Sequence, residues 1–231
     1  MYIPLSNRLK ACCRLVHPGD RVADIGCDHG YLGIHLLKEQ IATSVIAADI
    51  NEGPLQSAVR NGEKFGCKDK MTFYLSDGVK NIPQDFDTLV CAGMGGDTMI
   101  SILEAAPWLK NTKYRLILQC QSRRPELRKY LYEQGYRITK ETLAKDSHFI
   151  YPVTEVVYAP AQPLTAGQYY ITPMLLDDGS DLLPAFYDMV TAGLTKAMEG
   201  LKNTGGSKFE HLKSVMQELK EMEGLIYGNR C

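Results

Sequence analysis

The sequence predicts an α/β protein: a doubly wound, Rossmann-like parallel sheet, closed by an antiparallel hairpin and followed by a small helical unit. Three observations predict it. Strand-like and helix-like segments alternate in near-regular order up to about residue 135. Residues 136–158 then break the alternation with two β-rich runs in succession. Beyond residue 180, apolar residues recur at intervals of three and four, the spacing of one helix face.

Each element has its own signal. Ser6 to Val16 is a short leading helix, and the β-branched and apolar run Arg21 to Ile25 is the first strand. It passes through Gly26-Cys27-Asp28-His29-Gly30 into a helix that begins at Tyr31-Leu32-Gly33-Ile34. Val45 to Asp49 is the second strand and Pro54 to Phe65 the next helix. Met71 to Leu75 and Thr88 to Ala92 are strands three and four, and Gly96 to Ala105 is a helix. Tyr114 to Gln119 is the fifth strand, and Pro125 to Gln134 is a helix with proline in its first turn and Gly135 just past its end. Tyr136 to Leu143 and Phe149 to Tyr158 flank Ala144-Lys145-Asp146-Ser147-His148, a predicted hairpin. An antiparallel ending of this kind is typical of class I methyltransferases and unusual for simple dinucleotide-binding domains.

Residues 159–180, with Pro160, Pro163, Gly167, Pro173 and Gly179, read as an irregular connector. After it, Leu183, Phe186, Val190, Leu194, Ala197 and Leu201 form one apolar series, and Phe209, Leu212, Met216, Leu219 and Ile226 a second. Asn203-Thr204-Gly205-Gly206-Ser207 separates them, so two antiparallel, coiled-coil-like helices are expected, packed on each other or on the first unit. The expected division is 1–159 for the sheet domain and 160–231 for the connector and helical hairpin.

Composition excludes several classes. The chain has 231 residues, 45% of them hydrophobic, and a net charge of −1, enough for one full core plus an appendage. No apolar run approaches the roughly 18 residues of a membrane span, and Met1-Tyr2-Ile3-Pro4-Leu5 lacks a signal-peptide pattern, so a cytoplasmic location without membrane attachment is expected. The seven cysteines (12, 13, 27, 67, 91, 120 and 231) are odd in number and form no C-x-x-C pair, which argues against a disulfide framework and against a metal site. Most are expected to be reduced, buried fillers. Residues 160–231 carry 6 Lys and Arg against 9 Asp and Glu, so the helical unit can grip a nucleic acid only through a local patch or its shape.

The first strand–turn–helix carries the chemistry. A G-x-G-x-x-G match starting at Gly26 needs glycine at positions 28 and 31, where this chain has Asp28 and Tyr31. A dinucleotide pyrophosphate would meet a carboxylate and a phenol there. S-adenosylmethionine, with a cationic sulfonium and ammonium, suits an acidic turn better. About 20 residues on, Asp49 ends the second strand at the position of the acid that accepts from ribose hydroxyls. Ser76-Asp77-Gly78, after strand three, suits a carboxylate facing the adenine amino group with a glycine that lets the base lie flat. Val90-Cys91-Ala92-Gly93-Met94-Gly95-Gly96-Asp97 ends strand four, where the transferred group meets its acceptor. Its glycines admit a flat ring and Met94 offers a soft apolar surface.

Together, Asp24 to Leu32, Asp49-Ile50-Asn51-Glu52-Gly53-Pro54-Leu55, Asp77-Gly78 and Ala92-Gly93-Met94-Gly95-Gly96 resemble the motifs of the bacterial TrmK family. Leu5-Ser6-x-Arg8-Leu9 and the C-terminal helices extend the similarity over nearly the whole chain, although Gln119-Cys120-Gln121 stands where the family often has Gln-Pro. The resemblance implies methyl transfer from S-adenosylmethionine, leaving S-adenosylhomocysteine, to N1 of the adenine at tRNA position 22 in the D arm. It implies tRNA as partner and a monomer.

Placement then assigns expected roles. Asp24, Gly26, Cys27, Asp28, His29 and Gly30 surround the methionine moiety, Asp49 with Ile50 and Asn51 holds the ribose, and Asp77 with Gly78 meets the adenine. Ala92, Gly93, Met94 and Gly95 line the transfer site. Asp28, Tyr31 and Met94 are the catalytic candidates, Asp28 either stabilising the charge that appears on the base or meeting the methionine ammonium. Arg8, Lys10, Arg14, Arg123, Arg124 and Arg128, with Lys129, are candidate phosphate contacts. A small-molecule methyltransferase and a non-catalytic cofactor-binding protein remain as alternatives.

Overall fold

The computed structural model describes residues 2–202 and 205–228, so Met1, Asn203, Thr204, Asn229, Arg230 and Cys231 lie outside the described residues. The elements run α1 (Asn7–Leu15), β1 (Arg21–Ile25), α2 (Tyr31–Lys38), β2 (Ser44–Asp49), α3 (Glu52–Lys64), β3 (Met71–Leu75), β4 (Thr88–Gly95), α4 (Gly96–Glu104), β5 (Arg115–Ser122), α5 (Arg124–Glu133), β6 (Tyr136–Asp146) and β7 (Phe149–Tyr158). Three further helices follow: α6 (Pro173–Asp178), α7 (Leu183–Leu201) and α8 (Ser207–Tyr227).

Seven strands form one sheet in the order β3-β2-β1-β4-β5-β7-β6. The pairs among β1 to β5 are parallel, and β7 is antiparallel to both β5 and β6. Both faces are covered, so the central strands are mainly apolar and alternation only sorts residues between faces. Leu89, Leu116 and Leu118 join Phe86 and Met99 on one side, whereas Val90 and Ile117 join Ile34 and Leu36 on the other. Strand order reverses between β1 and β4, and a ligand crevice forms beyond the carboxyl ends of strands at such a switch.

Several elements differ in their bounds from expectation, among them β5, which runs on to Ser122, and α3, which starts at Glu52, and three of the differences have a clear physical reason. β4 runs past Ala92 to Gly95 because irregular pairing at Met94, with Gly93 at φ +82°, carries it around a bulge without ending it. β6 continues to Asp146, leaving Ser147-His148 as the turn, because ladder hydrogen bonds do not depend on side-chain polarity. The connector contains α6, whose Thr172 hydroxyl accepts from the Leu175 N–H at 3.2 Å and which ends at Gly179 with φ +61°. Pro173, read as a breaker, is at its first turn, where a missing N–H costs nothing.

The helical pair packs on itself and on the sheet. Phe186, Leu194, Val215 and Leu219 share a buried cluster with Leu143 and Ile150 of the β6–β7 hairpin. Tyr187, early in α7, donates to the Leu219 carbonyl at 3.3 Å and meets the Tyr227 ring edge-on at 5.9 Å near the end of α8, which fixes the antiparallel sense. Val215, absent from the predicted stripe, is buried, while Ala197 is exposed.

Arg128 requires a correction. It was expected on the surface as a phosphate contact, yet it is only 3% exposed. Its guanidinium donates to the carbonyls of Tyr169 (2.9 Å) and Tyr170 (3.1 Å) and to Glu141, which also accepts from the Thr154 and Thr172 hydroxyls. All of its reach is spent docking the connector on α5 and β6. The six described cysteines are buried free thiols. Among the described residues no helix is long and apolar enough to cross a membrane, and no group of three or more His, Cys, Asp or Glu is placed to hold a metal ion.

Candidate active site

After β1 the backbone turns through three left-handed residues in five: Gly26 (φ +72°), Asp28 (φ +50°) and Gly30 (φ +70°). Aspartate is among the few non-glycine residues that tolerate this conformation. The Gly26 and Cys27 N–H groups both donate to the Ala48 carbonyl, at 2.8 and 2.9 Å. Buried Asp49 pins the turn from β2. Its Oδ2 accepts from the Asp28 N–H at 3.0 Å and its Oδ1 from the Asn51 N–H at 2.9 Å. Each oxygen retains further acceptor capacity.

The turn forms one wall of a cleft of about 280 Å³, lined by Arg8, Leu9, Asp24, Gly26, Cys27, Asp28, His29, Tyr31, Leu32, Ala92 and Gly93. Asp24 is 4% exposed and its Oδ2 has no hydrogen-bond partner. Burial raises its pKa to about 7, against a bond from the Gly33 N–H that lowers it, with the charges of Asp49 and Asp28 adding to the rise. A buried acceptor with a free oxygen is poised for a donor or cation. Asp28 and His29 are exposed, 3.7 Å apart, and the Tyr31 ring lies 5.8 Å from His29 and edge-on to Phe65 at 6.4 Å. Burial pushes the Cys27 thiol above its ordinary range, so it contributes packing rather than a thiolate.

The opposite wall is the bulged end of β4. The Gly93 N–H and Arg8 Nη1 both donate to Gln119 Oε1 at 3.0 Å, so a fully buried amide ties α1 to the transfer strand. Gln119 was not among the predicted site residues. Its signal is an amide ending the apolar run Leu116-Ile117-Leu118. Met94 lies over the first turn: a Cβ on Gly26 would fall 2.3 Å from its terminal methyl. Gly95 pairs with Ser122 of β5.

The remaining predicted residues sit around this cleft. The exposed side chains of Ile50 and Leu75 extend the apolar rim at the ends of β2 and β3. Register places Leu75 opposite Asp49, so Asp77 and Gly78 emerge beside that acid but do not line the cleft. Asp77 pairs with Lys80. Ser76 braces the loop, donating to the Gly78 carbonyl and accepting from the Asn81 N–H. Of the basic candidates, Arg8 is inside the cleft, Lys10 and Arg14 are exposed on α1, and Arg123 is exposed and paired with Asp97 and Glu126. Arg124 is half-buried over the Phe186 ring, 5.3 Å from its centroid.

The strand order, the acidic turn at the switch point and the antiparallel closing hairpin define a class I methyltransferase. A family described as a methyltransferase domain matches residues 5–154. Within it, the chain belongs to the TrmK family. It is 34% identical over 152 residues to the tRNA (adenine(22)-N(1))-methyltransferase of Bacillus subtilis, a match spanning 65% of this chain and 64% of that protein's own length. The crystal structure of the B. subtilis M1A22 tRNA methyltransferase TrmK superposes with a TM-score of 0.79 at 26% identity, covering 97% of this chain and 98% of the other. A putative tRNA (m1A22) methyltransferase of Streptococcus pneumoniae, solved in complex with S-adenosyl-L-methionine, superposes with a TM-score of 0.78 at 30% identity, covering 94% and 98%.

Proposed function

We propose that the protein is a cytoplasmic tRNA methyltransferase that uses S-adenosyl-L-methionine to methylate N1 of the adenine at position 22 in the D arm. The relatives' activities support the acceptor. The observation that carries the reading is the buried Asp24 carboxylate, whose Oδ2 has no partner, in a cleft walled by the turn that Asp49 pins, an acidic setting matched to a cationic nucleoside.

The residues fit the cofactor. Asp24 would accept from its ammonium, Asp49 from the ribose hydroxyls and Asp77 from the adenine amino group, with Ile50 against the base. When bound, S-adenosylmethionine supplies an electrophilic methyl group. Adenine N1 is a neutral lone-pair nucleophile, so the chain need not remove a proton. It must hold the ring in line and stabilise the charge that develops there. Gly93 to Gly95 and Met94 give the ring a close, soft floor. Asp28 is exposed at the mouth, whereas Asp24 is buried, which favours Asp24 for the ammonium and Asp28 for the base. Tyr31 would steady the ring. N1 is on the pairing edge, so the adenine must be turned out of the folded tRNA to arrive.

Two outcomes follow. A cation prefers ionised Asp24, which is mostly protonated below its pKa of about 7. Cofactor affinity should therefore rise with pH, by roughly tenfold from a unit below that pKa to the plateau above it. Calorimetry at pH 6.0 and 7.5 reads this, and the same slope in Asp24→Asn would refute the assignment. Asp28→Asn should keep cofactor affinity and lower turnover by about tenfold or more, and a parental rate would remove Asp28 from the chemistry.

The function is tested by transfer of labelled methyl from S-adenosylmethionine to unmodified bacterial tRNA carrying adenine or guanine at position 22. Label on the adenine form alone is expected. Label on both would keep the methyltransferase and discard the target nucleotide, and label on neither would favour another acceptor.

A further inference from the structure

We propose that the groove between α5 and α7 holds a nucleotide of the RNA outside the methylated adenine, with its phosphate on Arg124 and its sugar and base against the helical arm; this rests on tRNA being the substrate. The groove measures about 200 Å³, and its walls include Arg124, Pro125, Tyr170, Met189, Val190 and Leu194. Three arginines border it, and their partners differ. Arg123 is engaged by Asp97 and Glu126, and Arg128 by Glu141. Arg124 has no hydrogen bond or ion pair among the described residues, and its guanidinium lies 5.3 Å from the centroid of the Phe186 ring.

A guanidinium over an aromatic ring and without a hydrogen-bond partner keeps its N–H fork free, and such a fork can take a phosphate through two parallel bonds. Partial burial with no carboxylate paired to it makes that cation costly, and desolvation, with the nearby Arg128 charge, lowers its pKa. A phosphate would offset the cost. The start of α5, a ten-residue helix without a side-chain cap, adds unbonded N–H groups at the same end. The arm has more acidic than basic residues, yet Tyr170, Met189, Val190, Gly193 and Leu194, its contributions to the groove, are all uncharged. The arm thus puts no charged side chain into the groove wall, and apolar side chains face the ribose and base of the nucleotide.

The groove also adjoins the transfer site. Gly95 of β4 pairs with Ser122, and a Cβ on Gly96 would fall 2.6 Å from the Arg123 carbonyl oxygen. The end of β4 and the start of α5 are thus in backbone contact, which sets the groove beside the strand that walls the cleft.

The test is the affinity of the full chain for an unmodified tRNA transcript, measured by fluorescence anisotropy over a range of salt, with cofactor affinity measured in parallel. Arg124→Gln should bind tRNA about tenfold more weakly and reduce the salt slope by about one, while Arg124→Lys should keep the slope. A purely structural role would leave the slope unchanged. Gly193→Glu approaches from the other wall. A Cβ there meets nothing within 4 Å, so the helix should accept it and present a carboxylate to the groove. It should weaken tRNA binding to a similar degree without lowering Tm. Parental affinity and salt slope in both Arg124→Gln and Gly193→Glu would overturn the groove while leaving methylation by the parent chain intact. Failure of the parent chain to bind or methylate tRNA would overturn the functional reading and the groove with it.

Discussion

Asp49→Ala is expected to weaken S-adenosylmethionine binding by about a hundredfold. Asp49 is buried and its two oxygens already accept from the N–H groups of Asp28 and Asn51. Removing it would take away the proposed ribose acceptor and release the turn that shapes the methionine end. Hydrogen bonds to a charged acceptor contribute about 1.5–3 kcal/mol each, and a hundredfold change corresponds to roughly 3 kcal/mol. Asp49→Asn retains one acceptor oxygen and should fall between parent and alanine. Isothermal titration calorimetry reads both, and parental affinity in Asp49→Ala would exclude the ribose role.

Glu141→Ala should be the most destabilising single change outside the cleft. Glu141 is buried and accepts from Arg128, Thr154 and Thr172. Alanine would leave the Arg128 guanidinium buried without a counter-charge beside two hydroxyls that have lost their acceptor, and breaking a buried pair from one side costs about 3–5 kcal/mol. For a chain of this size the expected fall in Tm is on the order of 10 °C. Replacing both Arg128 and Glu141 by leucine should cost less than the sum of the single changes, because no lone charge remains. Thermal unfolding of the single and double variants measures the coupling. A loss under about 1 kcal/mol in Glu141→Ala would show that the network does not hold the connector.

The contrast between Arg128 and Arg124 shows where sequence patterns stop being informative. Both lie on α5 and both read as surface cations. Burial separates them: Arg128 is enclosed by the connector's carbonyls and Glu141, whereas Arg124 faces the groove. The acid that claims Arg128 is 13 residues away on another element, so helix periodicity alone gives no sign of the pairing. Gln119 was invisible for the same reason. Its partners Arg8 and Gly93 are 111 and 26 residues distant, and an amide at a strand end is unremarkable until the sheet brings the three together.

By itself the sequence determined the alternating order of strands and helices, the closing hairpin, the acidic turn from Gly26 to Gly30 and the acid at Asp49. These are local: glycine permits left-handed backbone, and side-chain period reports which face is buried, within a few residues of chain. The tertiary structure decided that Asp24 keeps a free, buried oxygen, that Asp49 pins the turn, that Arg128 is spent inside the protein and that Arg124 is left to face a groove. Each depends on desolvation and on partners supplied by distant elements, and both arise only when the chain packs.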